Sequence, residues 1–122
     1  MFDYQQLHAY QKAKVLHNLI RNLIKKHEPD PVIADQLKRA SLSILLNIAE
    51  GAGRYTYPDK KHFYVIARGS VFEVSVIMEI LFDEEIIDST EYRVFDQKLE
   101  AMSKMLFAMI RVYNNKIPDR TA

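Results

Sequence analysis

The sequence predicts an all-α protein, an antiparallel up-down four-helix bundle. Three observations carry the prediction. Apolar residues recur at steps of three and four along four long stretches. Short polar or proline-bearing segments separate those stretches, and each offers a residue suited to cap a helix. Three glycines and four prolines interrupt 122 residues that are 48% hydrophobic, a composition that favours a helical protein over a disordered one. The length fits a single domain over residues 1–122. A chain of this size buries roughly two-thirds of its unfolded surface, enough for a core without staples.

The first helix is expected over about residues 4–27. Asp3 is placed to cap it, with Gln6 completing a capping box and Phe2 and Leu7 forming a hydrophobic staple. Val15, Leu19 and Leu23 make one apolar row; Leu16, Ile20 and Ile24 make another. Together they give a broad buried stripe. The segment Glu28-Pro29-Asp30-Pro31 ends the helix. Asp30 then caps a second helix over about 31–52, with Pro31 at its first position, where the missing N–H does no harm. Ile33, Leu37, Ala40 and Ile44 share one face of it. Its second half is apolar on most sides, which places it centrally or at a subunit interface. Gly51 and Gly53 are read as its terminators, since glycine takes the left-handed C′ conformation without steric cost.

Thr56 caps a third helix over about 58–85, where Phe63, Ile66, Ala67, Ser70, Val74, Ile77 and Leu81 keep a helical period. Gly69 inside it costs about 1 kcal/mol relative to alanine. Close approach of a neighbouring helix is the expected compensation. Asp88 or Ser89 caps the fourth helix, over about 89–115, and Pro118 limits its extension. Tyr92, Phe95, Leu99, Met102, Leu106, Met109 and Tyr113 alternate steps of three and four along it. That is a coiled-coil-like seam, suited to near-parallel packing in a bundle.

The chain has no cysteine, which excludes disulfides, thiol nucleophiles and zinc–thiolate sites. Met1 to Lys14 is polar and mixed rather than signal-like, and no apolar run approaches bilayer length. A cytoplasmic protein without membrane contact is expected. The net charge of +1 argues against a dedicated polyphosphate binder, but it averages over an asymmetry. From Tyr4 to His27 there is no acid, while Lys12, Lys14, Arg21, Lys25 and Lys26 are all basic. From Asp83 to Glu100 the acids Asp83, Glu84, Glu85, Asp88, Glu91, Asp96 and Glu100 face only Arg93 and Lys98.

The most informative motif is a polar comb in the apolar second helix. Ser43, Asn47, Glu50 and Arg54 follow at spacings of four, three and four, so they share a face. Burying such groups among Ile and Leu requires partners. Asn47, Glu50, Arg54, Ser70 and Glu73 are therefore expected to form a buried or half-buried structural network, with Glu73 completing a charged cluster with Arg54 or Arg68. Removing Glu50 from it should destabilise by a few kcal/mol.

The runs Arg39-Ala40-Ser41-Leu42-Ser43-Ile44, Asn47-Ile48-Ala49-Glu50-Gly51 and Gly53-Arg54 together resemble the signature of a family of small bacterial bundle proteins. These are often encoded in intervening sequences of 23S ribosomal RNA genes. Phe63-Tyr64-Val65-Ile66-Ala67-Arg68-Gly69-Ser70 followed by Glu73, and the opening Phe2 to Gln11 with the Gln11-Lys12 pair, extend the likeness over almost the whole chain. The resemblance implies a four-helix bundle that assembles into a ring, commonly a pentamer. A similar bundle serves as accessory protein to retroelement reverse transcriptases, and those proteins look more basic than this chain.

Other chemistry is thinly signalled. His8, His17, His27 and His62 show no short ligand spacing, so neither a metal site nor a cofactor is expected. Glu50 and Arg54 could serve as base and phosphate clamp, and Glu50 with Glu73 could serve a nuclease. No nucleophile elbow or phosphate loop accompanies them, and the structural reading is preferred. Lys12, Lys14, Arg21, Lys25 and Lys26 are the candidates for RNA or DNA contact, with Tyr4 and Tyr10 available for stacking. A solvated basic face, or one that meets the acidic 83–100 region of another subunit, is the competing reading. Tyr55, Tyr57 and Tyr64 read as an exposed group for oligomer contact. The expected function is non-enzymatic: a self-assembling homo-oligomer associated with nucleic acid. A purely structural ring, or a nuclease, is the alternative.

Overall fold

The computed structural model describes residues 2–118. A 3-10 turn over Asp3–Gln6 precedes four helices: α1 (His8–His27), α2 (Pro31–Gly53), α3 (Tyr57–Asp83) and α4 (Ser89–Lys116). Short connections make consecutive helices antiparallel neighbours. α2 packs against α1 and α3, and α3 against α4. α1 meets α4 only sparingly, and among the described residues the backbones of the diagonal pairs do not approach closely. The bundle is thus a four-sided ring of helices whose α1–α4 side is loosely closed. The α2–α3 side lies opposite it.

Local chemistry explains most boundaries. The Asp30 carboxylate accepts from the Val32 and Ile33 amides at 2.9 and 3.3 Å and starts α2. Thr56 Oγ1 accepts from the Asp59 amide at 3.2 Å, and Asp88 from the Glu91 amide at 2.8 Å. Glu28 and Glu85, after α1 and α3, take the left-handed conformation at φ 45° and 60°. The start of α1 differs from expectation. Leu7 is extended (φ −69°, ψ 128°) and half-buried against the core, so it divides the 3-10 turn from α1. The capping box sits one residue earlier than expected: the Phe2 amide donates to Gln5 Oε1 at 2.9 Å.

The end of α2 also corrects the sequence reading. Gly51 and Gly53 both remain helical, and among the described residues no glycine has a positive φ. Arg54, in extended conformation, ends the helix. Lys60 Nζ reaches back to the carbonyls of Gly51 and Ala52 at 3.3 and 2.9 Å, as a cation at a helix C-terminus should. Gly51 is needed for another reason. A Cβ there would lie 2.6 Å from Tyr64 Cε1.

The core follows the periodic rows. Leu16 and Ile20 of α1, Leu37, Ile44 and Ile48 of α2, Val71, Val74, Met78 and Leu81 of α3, and Leu106 of α4 are almost wholly buried. In α4 the seam is buried at Phe95, Leu99, Met102 and Leu106. It opens to half-burial at Tyr92, Met109 and Tyr113. Among the described residues no helix is long and apolar enough to cross a membrane.

Candidate assembly and nucleic-acid surfaces

The polar comb divides in two. In its half-buried part, Asn47 Nδ2 donates to the Ser43 carbonyl at 2.8 Å and to Ser43 Oγ at 3.0 Å. The Ser43 and Ser70 hydroxyls meet at 2.8 Å, and Ser70 Oγ donates to the Ile66 carbonyl at 3.2 Å. The bonds therefore run one way, from Asn47 through Ser43 and Ser70 to a backbone acceptor on α3. This relay satisfies every member and ties α2 to α3. Glu50 and Arg54 form a separate pair at 3.0 Å, with side chains 56% and 45% exposed. Arg54 also lies 4.5 Å over the Phe63 ring. Glu73 joins neither group. It is exposed and makes no ion pair or hydrogen bond among the described residues. The single network of Asn47, Glu50, Arg54, Ser70 and Glu73 is thus not assembled, because positions 50 and 54 lie on the rim of α2 rather than beneath α3.

Arg68 takes a different course from the one expected. Its Nε donates to the Ser103 carbonyl at 3.3 Å, and its guanidinium lies 4.8 and 5.3 Å from the Phe72 and Phe107 rings. It fastens α3 to α4 instead of pairing with Glu73. Of the three tyrosines read as exposed, Tyr55 is 98% and Tyr57 42% exposed, but Tyr64 is 2% exposed and buried against Gly51 and Tyr113. Burial, and secondly Tyr113, push its hydroxyl up to about 12. Glycine at 51 is what admits the ring.

The basic residues of α1 also divide. Residues 14, 21 and 25 fall on one helical face, whereas position 12 lies about half a turn away. Lys12 lines a groove between α1 and α4. Lys26 pairs with Glu91 of α4 at 3.4 Å. Lys14, Arg21 and Lys25 are exposed and, like Lys12, make no ion pair or hydrogen bond among the described residues. Tyr4 and Tyr10 stack edge to face with centroids 4.8 Å apart. The acidic corner lies where α3 passes into α4. Tyr92 is half-buried there, and loss of solvent, followed by Asp96, Glu79 and Asp83, raises its hydroxyl.

Two histidines hold α1 in place, which the sequence did not signal. His17 Nδ1 lies 2.7 Å from Ser41 Oγ on α2, while Ser41 Oγ donates to the Lys38 carbonyl at 3.1 Å. The serine proton is thus engaged, and Nδ1–H is the donor to Ser41. Burial, and then Arg21, hold the His17 pKa below its usual value. His27 Nε2 contacts Glu91 at 2.8 Å, and this hydrogen bond keeps the Glu91 carboxyl below the usual range. Only a spacing of 24 or 64 residues links these partners, so helical periodicity could not reveal them. Among the described residues, no group of three or more His, Asp or Glu side chains gathers as a metal site. Glu50 and Glu73 line different clefts.

The largest unexplained feature is apolar. Along the outer α2–α3 side, Val32 is 70%, Leu46 53%, Val76 57%, Ile66 38% and Ile80 37% exposed. Ile66, Gly69, Glu73, Val76 and Ile80 alternate steps of three and four, so they form a second seam on α3, turned outward. A Cβ at Gly69 would meet nothing within 4 Å. The close helix approach expected there does not occur among the described residues.

Four antiparallel helices with one loose side and one outward apolar seam define a small helical-bundle protein. The chain belongs to the 23S rRNA-intervening sequence protein family, whose model matches residues 5–108. A crystal structure of a protein with unknown function from the S23 ribosomal protein family of Bacteroides thetaiotaomicron is similar in fold, with a TM-score of 0.79 and 22% identity. The match covers 84% of this chain and 97% of the other. No curated protein matches the chain.

Proposed function

We propose that this protein is non-enzymatic and works by self-assembly into a homo-oligomeric bundle array. The observation that carries the reading is the outward seam of Ile66, Gly69, Val76 and Ile80 beside Val32 and Leu46. Apolar residues spaced as a helix seam are used where another helix covers them. The resemblance to ring-forming relatives supports a ring, with five subunits as its implied number. Light scattering at micromolar concentration tests this. The expected mass is a multiple of 14.3 kDa; a mass of one chain contradicts it.

Lys14, Arg21 and Lys25 support a second function, contact with RNA or DNA. Three unpaired cations on one face can neutralise phosphates without reading sequence. Neutralising all three should weaken binding equally across sequences and flatten its salt dependence by about one unit of slope per lost contact. An unchanged slope places the binding surface elsewhere. No binding by the parent protein at low salt leaves a purely structural ring.

A further inference from the structure

We infer that the outward α3 seam of one copy docks into the α1–α4 groove of the next copy, with Glu73 facing Lys12 and Lys98. The inference rests on the self-assembly reading and specifies its interface. The groove is the loose side of the bundle. It has a volume of about 460 Å³ and a floor of Val15, Leu16, Ala101, Met102 and Met105. Val15 is 54% exposed although it belongs to an apolar row of α1. Lys12, Lys98 and His8 stand at its rim, and among the described residues no carboxylate lines it. None of the three makes an ion pair or hydrogen bond among the described residues.

The α3 seam offers the complement. Its aliphatic residues flank one unpaired carboxylate, Glu73, and Gly69 leaves the helix without a side chain that would hold a partner away. Beside it on α2, Asp35 is matched by Arg39 at 2.8 Å and Glu50 by Arg54 at 3.0 Å. Two copies joined through the same seam, with the helices parallel or antiparallel about a centre near Glu73, would bring two Glu73 carboxylates together, which like-charge repulsion opposes. Joining seam to groove brings opposite charges together instead. Methionines on the groove floor adapt readily to an incoming aliphatic ridge.

The two surfaces lie on opposite sides of the bundle. Their contact is therefore heterologous: every copy keeps one free seam or groove until a ring closes. A standard interface takes roughly 800 Å² from each partner, which is about a tenth of the 7883 Å² that this chain exposes. Both sides can be engaged at once, and Lys14, Arg21 and Lys25 stay outside the contact.

Charge reversal tests the pairing. Glu73→Lys alone, and Lys12→Glu with Lys98→Glu, should each raise the concentration needed for assembly by roughly a hundredfold, since like charges at an interface are strongly disfavoured. All three substitutions in one chain should restore most of the assembly. Thermal melting of each variant should match the parent at low concentration, because the residues are exposed. If both reversals leave the mass unchanged while Val76→Glu dissolves the assembly, the seam assembles by another route and the seam–groove pairing is wrong. If the combined variant stays as dissociated as the single reversals, the pairing is wrong as well. A parent protein that is monomeric overturns both the pairing and the self-assembly beneath it.

Discussion

A Cβ on Gly51 would stand 2.6 Å from Cε1 of the Tyr64 ring and 3.0 Å from Cζ. Tyr64 is almost wholly buried and held by Tyr113 at a centroid distance of 5.7 Å, so the ring cannot swing aside freely. Gly51→Ala should therefore destabilise by about 1–3 kcal/mol, the usual result of overpacking a tight core. Chemical denaturation measures it. A variant as stable as the parent would mean that the ring and α2 are less closely set.

Gly69 should behave in the opposite way. A Cβ there meets nothing within 4 Å, and the residue is helical with ordinary φ. Gly69→Ala should stabilise the isolated chain by about 0.5–1 kcal/mol, as the unfolded state loses freedom. If a neighbouring helix approaches at this point, the same variant assembles less well. Melting at low concentration, together with mass at high concentration, separates the two effects.

Glu50→Ala should change stability by less than about 1 kcal/mol. Glu50 and Arg54 are an exposed i, i+4 pair, and such pairs contribute little. The few kcal/mol expected from the sequence assumed burial that α2 does not provide at this position. A loss of several kcal/mol in denaturant titration would show that the pair is covered in the folded protein.

His17 makes the fold sensitive to mild acid. Its folded pKa lies below the ordinary 6.5 because of burial and Arg21, so the unfolded chain takes up a proton first as pH falls. The stability it contributes is complete above about 6.5 and is lost as pH drops through the lower folded value. Glu91, whose pKa is lowered through its hydrogen bond with His27, adds a loss in the same direction below the carboxylate range. His17→Asn should flatten the stability profile just below 6.5 and leave the carboxylate region unchanged. An identical profile in the variant would rule His17 out as the titrating group.

The sequence made the four helices legible because their caps and apolar rows are local. Asp30, Thr56 and Asp88 cap where expected, and Phe95, Leu99, Met102 and Leu106 are buried as their spacing requires. The glycines were harder to read. Spacing alone cannot tell a terminator from a contact point, and Gly51 is fixed by Tyr64, which lies on another helix. The site was legible in part. The comb contained Ser43 and Asn47, and the expected network joined Asn47 to Ser70, but only the geometry shows Ser43 as the group that links them. The basic residues of α1 were read as one set, whereas their helical angles place Lys12 and Lys26 towards α4 and leave Lys14, Arg21 and Lys25 outside. Contacts such as His17 with Ser41 and Arg68 with Ser103 depend on how helices are placed against one another, and no periodicity within one helix encodes that.

The central claim is that the outer α2–α3 side is an assembly surface. Val76 sits in its seam, 57% exposed and outside the core of the single chain, so a charge there should leave the fold intact. Light scattering of the parent and of Val76→Glu, side by side at micromolar concentration, tests the claim most directly. The account predicts a multiple of 14.3 kDa for the parent and a fall towards one chain for the variant, with equal helicity in both. Equal masses for parent and variant would contradict it.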